Sequence, residues 1–127
     1  MARVLIVADS KAETALIEEI FREHPRVEIV GKACRVEEAA GIASERKPDL
    51  VVVASGVVLR EDAVGLAARV YRANPSAVVV VTAEWLPEPS RTALLEVCAI
   101  PVATNILDLP HELEMLIPDL REPVFAK

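Results

Sequence analysis

The side chains of this sequence that could bind a cation or act as a nucleophile lie at the ends of its short apolar runs. Asp9 and Ser10 follow the first run, Ser55 follows the third, and Thr82 ends the fourth. A carboxylate can bind a cation, and a hydroxyl can act as a nucleophile once a base activates it. Thr82 also has a structural interpretation, in which its hydroxyl is satisfied locally at the end of a strand, and we favour that interpretation.

Asp9 and Ser55 have structural interpretations as well. Asp9 can bind a cation with Glu84 or Asp62, but an acidic residue also stabilises the start of a following helix. Ser55 comes directly after Ala54, and successive strand residues face opposite sides of a sheet. Its hydroxyl is therefore expected to point away from a pocket at Ala54. We expect no catalytic residue and no metal site from these groups.

Cysteine and histidine suggest no further site. Cys34 and Cys98 are far apart and form no CxxC pair, as is typical of two reduced thiols. His24 and His111 are expected at helix ends on the surface. No glycine-rich phosphate loop follows the first run, and no carboxylate pair has acid/base spacing. We therefore predict that the chain is not an enzyme and holds no cofactor.

Composition excludes several kinds of partner. The 127 residues carry a formal net charge of -6, and no cluster of Lys and Arg stands out, which argues against nucleic acid and against anionic lipid. No apolar run reaches the roughly 18 residues that span a bilayer. The amino terminus lacks the layout of a signal peptide, so we predict a cytoplasmic protein. Aliphatic residues dominate the 53% hydrophobic content, as in parallel strands buried on both faces.

The apolar pattern alternates between short runs and segments of helical period. Strands are predicted at 3–8, 27–33, 50–55, 77–82 and, more weakly, 101–104. Helices are predicted between and after these strands. The first covers 10–23, the second begins near 36 and stops at 47–48, and the third stops at 74–75. The fourth covers 90–98, and the fifth begins near 108. Five β-α units in succession indicate a doubly wound parallel sheet with helices on both faces. We interpret residues 1–127 as one domain.

The first helix shows the clearest local signals. Ser10 and Glu13 form a capping box, in which the hydroxyl of the first residue caps the amide of the second. The apolar side of this helix is predicted at Ala12, Leu16, Ile20 and Phe21.

Four segments resemble receiver domains of response regulators. RVLIVADS at 3–10 is similar to the receiver opening VLIVDD, and KPDLVVVA at 47–54 is similar to PDLVLLD. VVVVTA at 78–83 matches the fourth receiver strand, and EHPRVEIVGKA at 23–33 resembles receivers of helix-turn-helix regulators. The resemblance extends to about Leu116. It implies a CheY-like, flavodoxin-like three-layer sandwich with strand order 2-1-3-4-5.

The resemblance also implies a phosphorylation site. Two acidic residues after the first strand and a phosphoacceptor aspartate hold Mg²⁺ in a working receiver, and the aspartate attacks a phosphohistidine. A lysine after the fifth strand neutralises the phosphoryl group, a Ser or Thr after the fourth strand binds it, and an aromatic residue on the fifth strand responds. Such chemistry needs a nucleophile and a metal that clamps the phosphoryl charge.

This sequence departs from the pattern at most of these positions. Ala8 takes the first acidic position, and Ala54 takes the phosphoacceptor position. The lysine position falls on Thr104 or Asn105, and Val102 takes the aromatic position. Only Asp9 and Thr82 remain. One carboxylate is a poor Mg²⁺ site, and without a nucleophile no acyl phosphate can form.

Two apolar loops flank these positions. They contribute Val57, Val58, Leu59, Trp85 and Leu86. These residues either form an exposed patch that binds a partner or fold inward and fill the space left by the smaller side chains. The inward arrangement is the favoured one.

The resemblance implies an atypical receiver that acts through protein contacts without phosphorylation. Its partner would be a histidine kinase, an output domain or a second copy in a homodimer, although Pro101 and Pro118 interrupt the region through which receivers often dimerise. Two alternatives stay open: a receiver fragment of a DNA-binding regulator and a flavodoxin-like domain that binds a small ligand.

Overall fold

The computed structural model describes residues 2–22, 24, 26–54, 59–83, 86–103 and 108–116, apart from the side chains of 59–62 and 116. Strands and helices alternate along them: β1 (Ala2–Ala8), α1 (Lys11–Arg22), β2 (Val27–Ala33), α2 (Val36–Arg46), β3 (Leu50–Ala54), α3 (Leu59–Ala73), β4 (Val78–Ala83), α4 (Glu88–Glu96), β5 (Ala99–Ala103) and α5 (Leu109–Leu116). β2 has its predicted bounds, whereas α4 and β5 each begin two residues earlier than predicted.

The five strands form one parallel sheet in the order β2-β1-β3-β4-β5, which confirms the predicted doubly wound fold. Every residue of β3 is buried, as expected of a central strand covered on both faces. β5 is an edge strand, and Pro101 lies in its middle, paired with Val81. A proline is tolerated there because an edge strand has one side without a ladder.

The helices divide between the two faces of the sheet. Residues of α2, α3 and α4 pack with one set of strand side chains, around Ala43, Leu66 and Leu94. Residues of α1 and α5 pack with the other set, around Phe21 and Leu113. The connections that leave β1 and β2 therefore turn to opposite faces of the sheet. Among the described residues, no helix is long and apolar enough to cross a membrane.

In the first helix the predicted cap by Ser10 is confirmed, and of the predicted apolar side only Phe21 is buried. The amide of Glu13 donates to Ser10 Oγ at 3.1 Å. Leu16 is 47% exposed, however, and the buried residues of α1 are Thr14, Ile17 and Phe21. These follow an i, i+3, i+7 spacing, which is rotated by one residue from the predicted face.

Gly31 lies where β1 and β2 lose their regular register. The pairing steps from Val4 with Ile29 to Leu5 with Gly31, so one residue of β2 is skipped. A Cβ at position 31 would lie 2.7 Å from Ile42 Cγ2, a methyl group fixed to the β-carbon of a residue in α2. Glycine lets α2 approach the sheet closely here.

We expect Gly31→Ala to lower the free energy of unfolding by about 1 kcal/mol, because the added methyl must displace Ile42. Gly41→Ala is the matched control, since a Cβ there meets nothing within 4 Å on the exposed side of α2. That control should gain up to about 1 kcal/mol from helix propensity. Urea denaturation of the two variants measures both changes, and an equal gain in both would contradict the close packing at Gly31.

Candidate functional site

Four residues lie side by side where four neighbouring strands end. Ala8 pairs with Ala54, Ala54 pairs with Thr82, and Thr82 pairs with Val102. We call these four residues the terminal row. The sheet therefore brings Ala8, Ala54 and Thr82, predicted as vestigial phosphorylation-site positions, together with Val102, predicted as the switch position, at the edge where doubly wound folds bind ligands.

The terminal row is buried and almost entirely apolar. Ala8, Ala54 and Val102 are 0%, 3% and 7% exposed. They belong to the cluster that contains Ile17 of α1 and Leu109 of α5. The described members of this cluster thus offer neither a nucleophilic carboxylate nor the oxygen ligands that a hydrated cation needs.

Thr82 contributes the one hydroxyl of the row. It is 4% exposed, and its Oγ1 has no hydrogen-bond partner among the described residues. The prediction that this hydroxyl would be satisfied at the strand end is wrong. The strand carries Thr82 into a row of aliphatic neighbours, which neither donate nor accept a hydrogen bond. An unsatisfied buried hydroxyl costs about 1–3 kcal/mol.

Asp9 lies outside the terminal row. It is exposed and follows β1 just before α1 begins at Lys11. Its proposed cation partners, Glu84 and the side chain of Asp62, lie outside the described residues. Within the parts of the chain that the structure describes, no three His, Cys, Asp or Glu residues are grouped so that they could hold a metal ion.

Asp9 instead lines a cleft of about 610 Å³ between the carboxyl ends of β1 and β2, which we call the β1–β2 cleft. Its charged lining residues are Asp9, Lys11, Lys32, Arg35 and Glu38. These cations cannot be recognised as a group from the sequence, because they come from two segments about twenty residues apart and form no run.

Hydrogen bonds already engage part of this lining. Lys32 Nζ is 2.8 Å from Glu18 Oε1, and Glu38 Oε1 accepts from the amide of Cys34 at 3.2 Å. Lys11 and Arg35 are exposed, and their side chains have no ion-pair partner in the described parts of the chain.

Of the two predicted apolar loops, the structure describes Leu86. Its side chain is 5% exposed, so Leu86 is not part of an exposed partner patch. An apolar side chain gains free energy by leaving water, and this one does so just before α4 begins. Val57, Val58, Trp85, the side chain of Leu59, and the lysine-position candidates Thr104 and Asn105 lie outside the described residues.

The histidines differ in their environment. His111 is exposed, as predicted. The prediction for His24 is wrong, because its side chain is only 8% exposed. Its Nδ1 accepts from the amide of Arg26 at 3.2 Å, and its Nε2 lies 3.0 Å from Glu114 Oε2. His24 therefore links the turn before β2 to α5, which is a structural role.

The two thiols remain separate. Cys34 and Cys98 are free cysteines, half-buried and exposed respectively. Cys34 lines the β1–β2 cleft, whereas Cys98 lies between α4 and β5. This arrangement confirms the sequence-based prediction that they form no disulfide.

Comparison with known proteins adds a sequence relative. No model of a known protein family matches the chain. Over 86 residues, or 68% of the chain, the sequence is 30% identical to the protein-glutamate methylesterase/protein-glutamine glutaminase 1 of Syntrophus aciditrophicus (strain SB). The chain spans 24% of the length of that relative.

Several solved structures with the same fold are receiver domains of response regulators. The response regulator domain of Thermotoga maritima CheB superposes with a TM-score of 0.74 at 20% identity, covering 97% of this chain and 99% of that one. A LuxR-family two-component response regulator from Aurantimonas sp. SI85-9A1 superposes with a TM-score of 0.76 at 16% identity, covering 93% and 86%. The chain therefore has the fold of response-regulator receiver domains, the CheY-like form of the flavodoxin-like α/β sandwich.

Proposed function

We propose that this chain is an atypical receiver domain of two-component-type signalling that acts through protein contacts and accepts no phosphoryl group at position 54. The observation that carries the proposal is the buried, apolar terminal row. Ala54 supplies no nucleophile, and Ala8 supplies no metal ligand beside it. The polar group of the terminal row, Thr82 Oγ1, cannot replace the nucleophile or the metal ligand, because among the described residues no base lies within hydrogen-bond reach of it.

The hydrolytic activity named for the Syntrophus relative is not part of this proposal. The match covers 86 residues, and this chain spans only 24% of that relative. In the described part of the chain, no hydrogen bond joins a Ser or Cys side chain to a histidine, the contact by which a base commonly activates a nucleophile. We therefore assign this domain a binding role and no catalytic one.

The partner would be a histidine kinase, an output domain or a second copy of the chain. The large exposed apolar side chains of the described residues are Leu16, Tyr71, Leu95 and Met115, one on each of four helices. Single exposed residues of this kind are common on monomeric proteins, so none of them identifies the partner surface by itself. Light scattering after size-exclusion chromatography distinguishes self-association from the other two.

Acetyl phosphate tests the central claim directly. After incubation with acetyl phosphate and Mg²⁺, the intact mass of the denatured chain should be unchanged, because the row contains no carboxylate to form an acyl phosphate. An active receiver domain treated in parallel controls for the reagent. A phosphoryl adduct that hydroxylamine removes would overturn the proposal.

A further inference from the structure

The β1–β2 cleft is open because of the chain path. After β1 the chain turns to the face covered by α1 and α5, and after β2 it turns to the face covered by α2 and α3. The two connections diverge and leave a space of about 610 Å³ at the carboxyl ends of the strands. That volume is in the range of pockets that hold small organic ligands, about 300–1,000 Å³.

The charge of the cleft differs from that of the molecule. The chain carries a net charge of -6, yet three cations and two carboxylates line this space. Lys11 and Arg35 have no carboxylate partner in the described part of the chain, and both line the cleft. Lys11 lies in the first turn of α1, and Arg35 lies just before α2. Two such cations can share one multiply charged oxyanion through charge-assisted hydrogen bonds.

The same lining disfavours a divalent cation and a bare anion. Lys11, Lys32 and Arg35 would repel a metal ion at Asp9, and the carboxylates of Asp9 and Glu38 would repel an anion that filled the whole cleft. A ligand that has a charged phosphate at one end and hydroxyl or amino groups elsewhere matches both sets of residues, because carboxylates accept hydrogen bonds from such groups.

We infer that the β1–β2 cleft is a binding site for the phosphate group of a small phosphorylated molecule, such as a nucleotide or sugar phosphate, held by Lys11 and Arg35. This site is separate from the terminal row, and the inference is independent of the proposed function. The binding is reversible and involves no transfer of the phosphoryl group.

The test is a titration of the ¹⁵N-labelled chain, followed by its amide resonances at constant ionic strength and without Mg²⁺. The probes are AMP, glucose 6-phosphate, inorganic phosphate and adenosine. We expect saturable shifts at the amides of residues 9–15 and 32–38 with the phosphate-bearing probes and none with adenosine. Tighter binding of AMP or glucose 6-phosphate than of inorganic phosphate would support the inference, and equal binding of inorganic phosphate would overturn the assignment of an organic phosphate as the ligand.

Paired variants identify the residues responsible. Lys11→Gln combined with Arg35→Gln should weaken binding by at least about tenfold, the loss expected for charge-assisted contacts. Arg46→Gln, at the exposed far end of α2, is the matched control and should bind as the parent chain does. Unsaturable shifts for every phosphate, or equal binding by the double variant, would overturn the inference. The mass measurement with acetyl phosphate detects covalent adducts only, so the two results are read separately.

Discussion

Ala54→Asp should lower the free energy of unfolding by about 3 kcal/mol, the scale of an uncompensated buried charge, and should still give no stable phosphoryl adduct. Position 54 is 3% exposed and lies between Ala8 and Thr82 in the terminal row. A carboxylate there loses its hydration, and within the terminal row the one side chain that can donate a hydrogen bond to it is Thr82, through Oγ1. Because Ala8 offers no second carboxylate, Mg²⁺ cannot compensate the new charge.

Ala54→Asn separates charge from size in this experiment. The amide has almost the same shape as the carboxylate but no charge, so it should cost clearly less in urea denaturation at neutral pH. Intact-mass analysis of the Ala54→Asp variant after treatment with acetyl phosphate tests the prediction that no phosphoryl adduct forms. If Ala54→Asp were as stable as the parent and took up a phosphoryl group with Mg²⁺, the row would have to be open to solvent and able to bind the metal.

Thr82→Val is expected to raise the free energy of unfolding by about 1–3 kcal/mol, because it removes a buried hydroxyl that has no partner. Valine has nearly the shape of threonine, so the packing against Ala54 and Val102 should be kept. Few substitutions in a buried strand stabilise a protein, which makes the sign of the change informative. Urea denaturation and the melting temperature both measure it.

Thr82→Ser is the complementary control. It keeps the hydroxyl and removes the methyl group from a buried position, so it should lower the free energy of unfolding by about 1 kcal/mol. If Thr82→Val were neutral or destabilising, the hydroxyl would have a partner beyond the residues that the structure describes, and the polar character of the row would need another explanation.

The sequence predicted the terminal row well because the row depends on strand ends. The runs predicted to end at Ala8, Ser55 and Thr82 are strongly apolar, so the residue pattern alone places the carboxyl ends of these strands to within about one residue of those observed. The parallel order then brings these ends into register. Val102 was harder to place, since β5 is short and contains a proline, and the structure pairs it with Thr82.

Features that depend on side-chain direction or on distant segments were not predictable in this way. Leu16 and Ile17 both fit a helical period, and only the orientation of α1 on the sheet decides that Ile17 is the buried one. His24 is covered by contacts with a helix ninety residues away. The cations of the β1–β2 cleft likewise become neighbours only when the two connections fold over opposite faces.

On the proposed function, the short side chains of the terminal row would make phosphorylation at position 54 hard to regain by natural selection. A single return to an acidic residue at position 8 or 54 would place a charge among aliphatic neighbours, and stability would fall before any activity appeared. Recovery would need several substitutions at once, two carboxylates and a lysine among them. The adaptive path back is therefore blocked at its first step, while substitutions on the surface of the domain remain free to accumulate and to change the proteins that it binds.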